Sequence, residues 1–309
     1  MSRTWSWLLR LGVTALALVL VFRQVQLDQV LAQLRILPAS ILGLCLLLLV
    51  PNIGFQYLKW RTLLRSLPSP PPAREILRST LLGMLGGLLT PGRVGEHARV
   101  LVFRGVSRSR LAGLSLLDRL VSSLVTVGAG ALCLWLMPRT AFPALFSTGV
   151  MIYGGASLLG HLAVLALLLQ PSRVLAWLER WNWLNRQPRW HQVREGLGAL
   201  DGSRRLALLG WAVAFWLCFI LQFSLLVGGL GFSHPLVPAA AGSTFFLSAL
   251  FPFSLGDLGL RELFSGALYA SLGADPVIAI SASLVLFSIN ALLPALLALP
   301  LLAGGGRRS

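Results

Sequence analysis

The sequence predicts an all-α, polytopic membrane protein with six spanning helices and two re-entrant segments that enter the membrane and return. Three observations predict this fold class. Of the 309 residues, 56% are apolar and 12% are charged, whereas about 25% are charged in a typical soluble domain. The apolar residues occur in runs, and most runs approach the roughly 20 residues that cross a bilayer as a helix. Short Arg-rich stretches separate the runs, as expected for topology signals.

The basic charge indicates lipid as a partner and excludes nucleic acid. The net charge of +16 comes almost entirely from arginine, because Lys59 is the only lysine in the chain. Bases confined to short stretches between apolar runs are typical of a topology signal, and near the cytoplasmic surface they attract anionic headgroups. The three cysteines fall inside apolar runs, and the four histidines lack metal-ligand spacing. We therefore expect neither a metal nor a cofactor.

Nine apolar runs are predicted to form the helices. The first follows Arg3 and Arg10 and is predicted to be an uncleaved helix, because no small-residue cleavage site follows it. Two runs, 79–91 and 263–274, are too short to cross about 30 Å of hydrocarbon as straight helices. The complete set is 7–22, 39–58, 79–91, 112–137, 147–170, 206–231, 237–255, 263–274 and 277–303.

The run 79–91 is predicted to be re-entrant because positive charge lies on both sides of it. Both flanks resemble cytoplasmic loops, and breakers for an intramembrane turn are present. The flanking bases are Lys59, Arg61, Arg65, Arg74 and Arg78 before the run, and Arg93, Arg99, Arg104, Arg108 and Arg110 after it. The expected breakers are Gly83, Gly86, Gly87, Pro91, Gly92 and Gly95.

The remaining charges place both termini in the cytoplasm, in a multi-pass protein of the plasma (inner) membrane. Arg307 and Arg308 follow the last run, and the segment 171–205 combines arginines with tryptophans. That composition is typical of an amphipathic segment on the cytoplasmic interface, although a plain connecting loop is an alternative. For the C-terminus to return inside, 237–275 must enter and leave from the outer face.

This path makes the chain a single membrane domain with an inverted repeat. The halves 1–137 and 147–309 follow the same plan and enter from opposite faces. Gly/Pro-interrupted segments at matching positions of such halves point to a transport site near the midplane. Eight full spans, two of them poor helices, are the alternative architecture.

Charged residues in and beside the broken segments are the candidate site. A charge at membrane depth costs roughly 2.5–3.5 kcal/mol on insertion scales and needs partners or water. Arginine suits a lipid phosphate because its planar paired donors stay charged when buried. The predicted substrate-binding residues are Arg93, Glu96, Arg99, Asp257, Arg261 and Glu262. The predicted backbone-shaping residues are Pro91, Gly92, Gly95, Pro252, Gly256 and Gly259, and Asp118 and Arg119 are a further candidate ion pair.

The roles of the acidic residues stay open at this point. Glu96 and Glu262 could compensate the arginines, contact an amine headgroup or carry a coupling proton. A structural ion-pair network that joins the re-entrant turns is the alternative for the whole group. No catalytic residue is predicted.

Two motifs resemble signatures of the membrane region of lysylphosphatidylglycerol synthases and their stand-alone, flippase-like relatives. Residues 88–99, LLTPGRVGEHAR, are similar to the PGRxGExxR pattern, and residues 251–262, FPFSLGDLGLRE, are similar to a proline followed by GGxGxRE. Asp257 stands where the family usually has glycine. The matching positions are Pro91, Gly92, Arg93, Gly95, Glu96 and Arg99 in the first motif, and Pro252, Gly256, Gly259, Arg261 and Glu262 in the second.

The resemblance implies lipid translocation. In the fused enzymes this region is thought to move aminoacylated phosphatidylglycerol, and archaeal relatives are linked to dolichol-linked sugars. We find no aminoacyl-transferase domain among the 309 residues, and we therefore do not expect them to make lysylphosphatidylglycerol by themselves. We therefore expect a non-enzymatic flippase for a phospholipid or a polyprenyl-phosphate-linked lipid. The alternatives are a non-catalytic membrane partner of an envelope or lipid-biosynthesis enzyme, acting through 171–205, and a membrane-embedded lipid transferase with Glu96 or Asp257 as base.

Overall fold

The fold is all-helical throughout the residues that the computed structural model describes, which are 27–90, 93–103, 105–138, 148–181, 186, 194, 200–251 and 258–303. These residues form eleven α-helices and no strand. This confirms the predicted all-α class, while the six spans and two re-entrant segments stay predictions. Four stretches are long and apolar enough to cross a membrane, namely Ala39–Leu64, Arg108–Leu136, Gly202–Gly229 and Pro276–Leu301. The predicted first helix and the C-terminal arginines lie outside the described residues.

The helices are numbered in chain order. They are α1 Leu27–Ile36, α2 Ala39–Leu64, α3 Ala73–Leu89, α4 Arg108–Leu136, α5 Thr148–Leu169, α6 Pro171–Leu178, α7 Gly202–Gly229, α8 Val237–Leu250, α9 Leu260–Ala270, α10 Pro276–Phe287 and α11 Leu293–Ala303. A 3-10 helix, Val94–Val102, follows α3, and a π-helical turn, Ser288–Leu292, joins α10 to α11.

Polar caps fix where the long helices begin. Ser107 accepts a hydrogen bond from the Arg110 backbone N–H at the start of α4 (3.5 Å), and Asp275 accepts one from Val277 at the start of α10 (2.9 Å). Asp201 caps α7 by accepting from the Arg204 backbone N–H (2.8 Å), and this bond lowers the pKa of the Asp201 carboxyl. Each cap satisfies an N–H group that has no partner within the helix.

Helix α2 is longer than the apolar run that predicted it. It continues to Leu64, so that Lys59 and Arg61 lie on the helix and not in a loop. Lys59 is only 3% exposed, and its ammonium pairs with Asp118 of α4. The prediction that these residues lie in a loop was wrong, because the ion pair with Asp118 stabilises the charge of Lys59 within an otherwise apolar helix.

The first broken segment forms a hairpin. Helix α3 runs to Leu89, and the 3-10 helix packs back along it. The Ser79 hydroxyl donates to the Arg99 carbonyl (2.9 Å). Arg110 Nη2 donates to the Ser66 carbonyl (3.4 Å), so the chain enters and leaves this hairpin at the same end.

Glycines in the first hairpin pack the backbone closely instead of breaking the helix. Gly83, Gly86 and Gly87 were predicted breakers, but all three lie inside α3. A side-chain methyl group at Gly86 would overlap the backbone of Gly95, and one at Gly87 would meet the Glu96 side chain. The absence of Cβ atoms therefore lets α3 and the 3-10 helix touch through their main chains.

Helices α8 and α9 form a second hairpin. The Tyr269 hydroxyl, near the end of α9, donates to the carbonyl of Val237 at the start of α8 (2.9 Å). The turn between the two helices includes 252–257, which lie outside the described residues. In both hairpins the two outer ends thus lie close together, an arrangement that a re-entrant segment and a pair of antiparallel spans share. Their placement in the membrane, and the repeat boundaries 1–137 and 147–309, stay predictions.

The outer surface is apolar, as a membrane protein requires. Leu47, Val50 and Trp135 are 69%, 71% and 75% exposed, and an apolar surface of this kind is stable when lipid covers it. Inside, one core cluster surrounds α7, α8 and α10, and a second joins the C-terminal half of α2 to α4 and the start of α7. The candidate site lies where α2, α4 and α7 meet the first hairpin.

Candidate functional site

A polar cavity of about 240 Å³ brings residues of both broken segments together. Its walls come from α2, α3, the 3-10 helix, α4, α7 and α8, with Arg261 of α9 completing them. At about 10–15 Å³ of this volume per water molecule, the cavity has room for a phosphate-sized group. The charged lining residues are Lys59, Arg93, Glu96, Arg99, Asp118, Arg119 and Arg261.

Three partly exposed side chains form one wall, and we call Arg93, Glu96 and Arg119 the outer triad. Arg93 Nε lies 2.6 Å from Glu96 Oε1, and Arg119 Nη1 lies 3.6 Å from Glu96 Oε2. Arg119 also donates to the Arg93 carbonyl (3.1 Å). The side chains are 37%, 26% and 35% exposed. One carboxylate between two guanidiniums gives the triad a net positive charge that faces the cavity.

The backbone at Arg93 is unusual and directs the turn. Arg93 has φ of 55° and ψ of 28°, in the left-handed region, where residues other than glycine are uncommon. Its carbonyl accepts from the Glu96 N–H (3.1 Å), which begins the 3-10 helix. Thr90 Oγ1 accepts from the Gly95 N–H at 2.5 Å and donates to the Gly86 carbonyl at 2.8 Å. These bonds fix the position of Glu96 between the two arginines.

A buried group forms the deeper wall, and we call Lys59, Arg99 and Asp118 the inner triad. Lys59 Nζ lies 3.3 Å from Asp118 Oδ1, and Arg99 Nη2 lies 3.0 Å from Asp118 Oδ2. All three side chains are at most 10% exposed. The Arg99 guanidinium stacks over the Trp60 ring at 3.9 Å, and Lys59 also bonds to Ser122 Oγ. Each carboxylate oxygen therefore faces its own cation.

Asp118 and Arg119 were predicted as one candidate ion pair, but each pairs elsewhere. Asp118 belongs to the inner triad and Arg119 to the outer one. Adjacent residues on a helix point about 100° apart and do not face each other. Helix α4 begins at Arg108, so both lie about 15 Å along it at about 1.5 Å per residue.

In the second half, Glu262 lies behind Arg261 rather than on the cavity wall. Glu262 is fully buried. Its Oε1 accepts from Arg261 Nη2 (2.7 Å) and from Ser283 Oγ (2.8 Å), and its Oε2 accepts from the Gly259 N–H (2.7 Å). Gly259 has φ of 84°, a conformation that favours glycine. These contacts make Glu262 the group that positions Arg261 and caps α9.

The two halves hold one arginine each in the same way. Arg99 donates from Nε to Ser115 Oγ (3.1 Å) and from Nη2 to the Ser115 carbonyl (3.3 Å). Arg261 donates from Nε to Ser283 Oγ (2.7 Å) and from Nη2 to the Ser283 carbonyl (3.3 Å). Each serine lies on the helix that follows its hairpin. We call this arrangement the Arg–Ser clamp.

Sequence reasoning missed Lys59 and both serines. Lys59 carried a signal, since it is the only lysine and follows an apolar run directly. Ser115 and Ser283 carried none, because serines are common in membrane helices and their spacing from Arg99 and Arg261 differs, at 16 and 22 residues. Pro91, Gly92, Pro252, Gly256 and Asp257 lie outside the described residues.

The basic Trp-rich segment is described only in part. Trp177 and Trp181 are 52% and 45% exposed, and their ring centroids are 5.3 Å apart. Arg194 pairs with Glu179 at 2.7 Å. Exposed tryptophans next to arginines agree with the predicted position at a membrane interface.

Comparison with known proteins agrees with the motifs. A family profile described as "Lysylphosphatidylglycerol synthase TM region" matches residues 7–298, which includes both hairpins and every residue that lines the cavity. No curated protein matches the chain. Because the match extends over nearly the whole chain, the similarity of the two motifs is confirmed at the level of the family. The protein is therefore a member of the lysylphosphatidylglycerol synthase TM region family.

Proposed function

We propose that the protein translocates a phosphate-bearing lipid across the membrane and holds the headgroup in the polar cavity. The observation that carries the proposal is the convergence of Arg93, Arg119 and Arg261 on one headgroup-sized space. Guanidinium groups bind phosphate through paired, charge-assisted hydrogen bonds. Family membership supports lipid handling in general, and the lipid is a phospholipid or a polyprenyl-phosphate-linked lipid.

The depth of the cavity supports transport over surface binding. Gln56 and Lys59 lie within α2, eight and five residues before its end at Leu64, which is about 12 and 8 Å along the helix axis. Charges at such depth are costly, and in membrane proteins they mark substrate pathways. A headgroup bound there has already left the aqueous surface.

The apolar part of the lining suits the rest of a lipid. Phe215, Phe219 and Phe245 line the cavity together with the charged residues. Acyl or polyprenyl chains can therefore leave along an aromatic wall while the headgroup stays with the arginines. The small volume agrees with this division, because only the polar part needs to fit.

The outer triad offers the sharpest test. We expect Arg93→Ala and Arg119→Ala each to reduce transport about 10- to 100-fold, which corresponds to the roughly 1.5–3 kcal/mol of a hydrogen bond to a charged group. The assay uses proteoliposomes with labelled phospholipid and polyprenyl-phosphate probes. Both side chains are over a third exposed, so the thermal unfolding midpoint should stay near that of the wild type.

Arg173→Ala is the matched control. Arg173 is exposed on α6, away from the cavity, and bonds to Gln170. It should transport as the wild type does. Unchanged transport in both cavity variants would overturn the phosphate-binding role. Arg261 is a poorer first choice, because its removal leaves Glu262 buried without its cation.

Two other functions are tested by separate measurements. A partner role for the Trp-rich segment is motivated by the exposure of Trp177 and Trp181. It predicts that replacing both with alanine abolishes the cellular phenotype and leaves lipid transport intact.

A transferase role for Glu96 or Asp257 predicts product formation by the purified protein from a lipid substrate.

A further inference from the structure

A second polar group lies in the core beyond the cavity, and we call Asn52, Gln222 and Asn290 the amide cluster. Gln222 of α7 donates from Nε2 to the Cys45 carbonyl (2.9 Å), and its Oε1 accepts from Asn290 Nδ2 (3.0 Å). Asn52 is fully buried and contacts the Cys218 thiol. Its amide forms no hydrogen bond with nitrogen or oxygen of any described residue.

The amide cluster continues the polar face of α2 away from the cavity. Asn52 precedes Gln56 by four residues and Lys59 by seven, and such spacings place all three on one face of a helix. Gln56 and Lys59 line the cavity. Beyond Asn52 this face continues with the apolar side chains of Leu49 and Cys45. The Cys45 carbonyl, where Gln222 binds, lies about 16 Å from Gln56 along the helix at about 1.5 Å per residue.

Packing alone does not account for these amides. A buried polar group without a hydrogen bond costs about 1–3 kcal/mol. Among the described residues, Asn290 Oδ1 has no hydrogen-bond partner, and the Asn52 amide has only the Cys218 thiol, a weak donor and acceptor. Apolar side chains of similar size would fill the same space without that cost. Polar residues within membrane helices commonly mark the route of a polar substrate.

Both helix irregularities of this region lie at the amide cluster. Pro51 stands inside α2 directly before Asn52, and a proline there removes a helical hydrogen bond and favours a bend. The π-helical turn Ser288–Leu292 contains Asn290, and such turns are frequent at functional sites. The α2 helix packs against this turn. The helix that contains Pro51 and the π-helical turn therefore share an interface.

We propose that the amide cluster is the second half of the headgroup path, closed in this conformation and opened when α2 bends at Pro51 away from the π-helical turn. In the open state the amide N–H groups of Asn52, Gln222 and Asn290 donate to the oxygens of a phosphate ester. The identity of this ligand rests on the proposed function, whereas the opening of the path to water does not.

Native cysteines provide the test of opening. Cys45 is fully buried beside Gln222, whereas Cys133 lies half-buried against Gly242, between α4 and α8. Variants that retain only Cys45 or only Cys133 are reconstituted and treated with a small cationic, membrane-impermeant methanethiosulfonate reagent. We expect Cys45 to be modified and Cys133 to be spared, because Cys45 is the one of these two thiols that adjoins the path. If Cys45 reacts no faster than Cys133, while both react fully in sodium dodecyl sulfate, the proposal is overturned.

The variant Asn52→Leu tests whether Asn52 belongs to the path or only supports the structure. Leucine has a similar volume and removes a buried amide whose only partner among the described residues is the weakly bonding Cys218 thiol, so the thermal unfolding midpoint should stay equal or rise. Modification of Cys45 should nevertheless slow about tenfold, because a buried thiol reacts only through local opening. A lower midpoint with an unchanged rate of modification would contradict the proposal.

The proposed lipid transport and the proposed path through the amide cluster can be refuted independently of each other. If no lipid probe is transported but Cys45 reacts and Asn52→Leu slows the reaction, the path stands and the lipid function falls. If lipid is transported while Cys45 stays unreactive, the headgroup crosses by another route and the amide cluster is structural.

Discussion

Asp118 is the residue that joins three separate elements in one ion-pair group. Its two oxygens pair with Lys59 of α2 and with Arg99 of the 3-10 helix. Sequence reasoning selected Arg99 and Asp118, because charges within apolar surroundings need partners. It did not select Lys59, because the predicted end of the apolar run at residue 58 placed this lysine among the flanking bases, whereas α2 continues to Leu64.

Removal of Asp118 should be far more damaging than removal of Lys59. Asp118→Asn leaves two buried cations without a counter-charge, and breaking a buried ion pair in this way costs about 3–5 kcal/mol. Lys59→Met leaves Asp118 paired with Arg99, and methionine fills the space of the lysine stem. Thermal unfolding in detergent measures both free energies. Equal losses of stability would contradict the arrangement of the inner triad.

The first hairpin depends on main-chain contact between α3 and the 3-10 helix. Charge on both flanks and glycines along the segment predicted that it is re-entrant. The structure shows that the 3-10 helix packs back along α3, and the re-entrant position in the membrane stays a prediction. Sequence reasoning assigned the wrong role to Gly83, Gly86 and Gly87, because a glycine that breaks a helix and one that lets another backbone approach look alike in sequence. Only the packed partner, here Gly95, distinguishes the two roles.

Gly86→Ala should destabilise the protein, whereas Gly54→Ala should not. The added methyl group at Gly86 would overlap the Gly95 backbone, and overpacking of this kind costs about 1–3 kcal/mol. Gly54 has open space around it in α2, where alanine is the better helix former by roughly 1 kcal/mol. Unfolding midpoints of the two variants in detergent give the comparison. A similar response at both positions would show that the hairpin does not need this close approach.

At the scale of the whole molecule, the sequence predicted a helical membrane protein with two broken segments. The structure shows a helical hairpin at each segment, with the outer ends of the hairpin close together. That Arg261 lies beside residues of the first hairpin could be expected only in general terms, because charges at membrane depth are costly and need partners. The Arg–Ser clamps could not be predicted, because they depend on how α4 and α10 cross their hairpins.

Membrane topology decides between six spans with re-entrant hairpins and eight spans. Ser69 and Arg108 are exposed on either side of the first hairpin, and Ser66 bonds to Arg110 across its open end. In a background without native cysteines, Ser69→Cys and Arg108→Cys should both react with an impermeant maleimide from the same face. Reaction from opposite faces would indicate that α3 is a full span.

The matching Arg–Ser clamps bear on what would drive the proposed transport. If the two halves have the opposite orientations predicted from the sequence, exchanging their conformations would replace one Arg–Ser clamp with an equivalent one. The inward-open and outward-open states of such a protein would then have similar free energies. Neither leaflet would be favoured by the protein itself, and net movement would follow the difference in lipid concentration between the leaflets. In cells, enzymes that make or consume the lipid on one side would set the direction of flow.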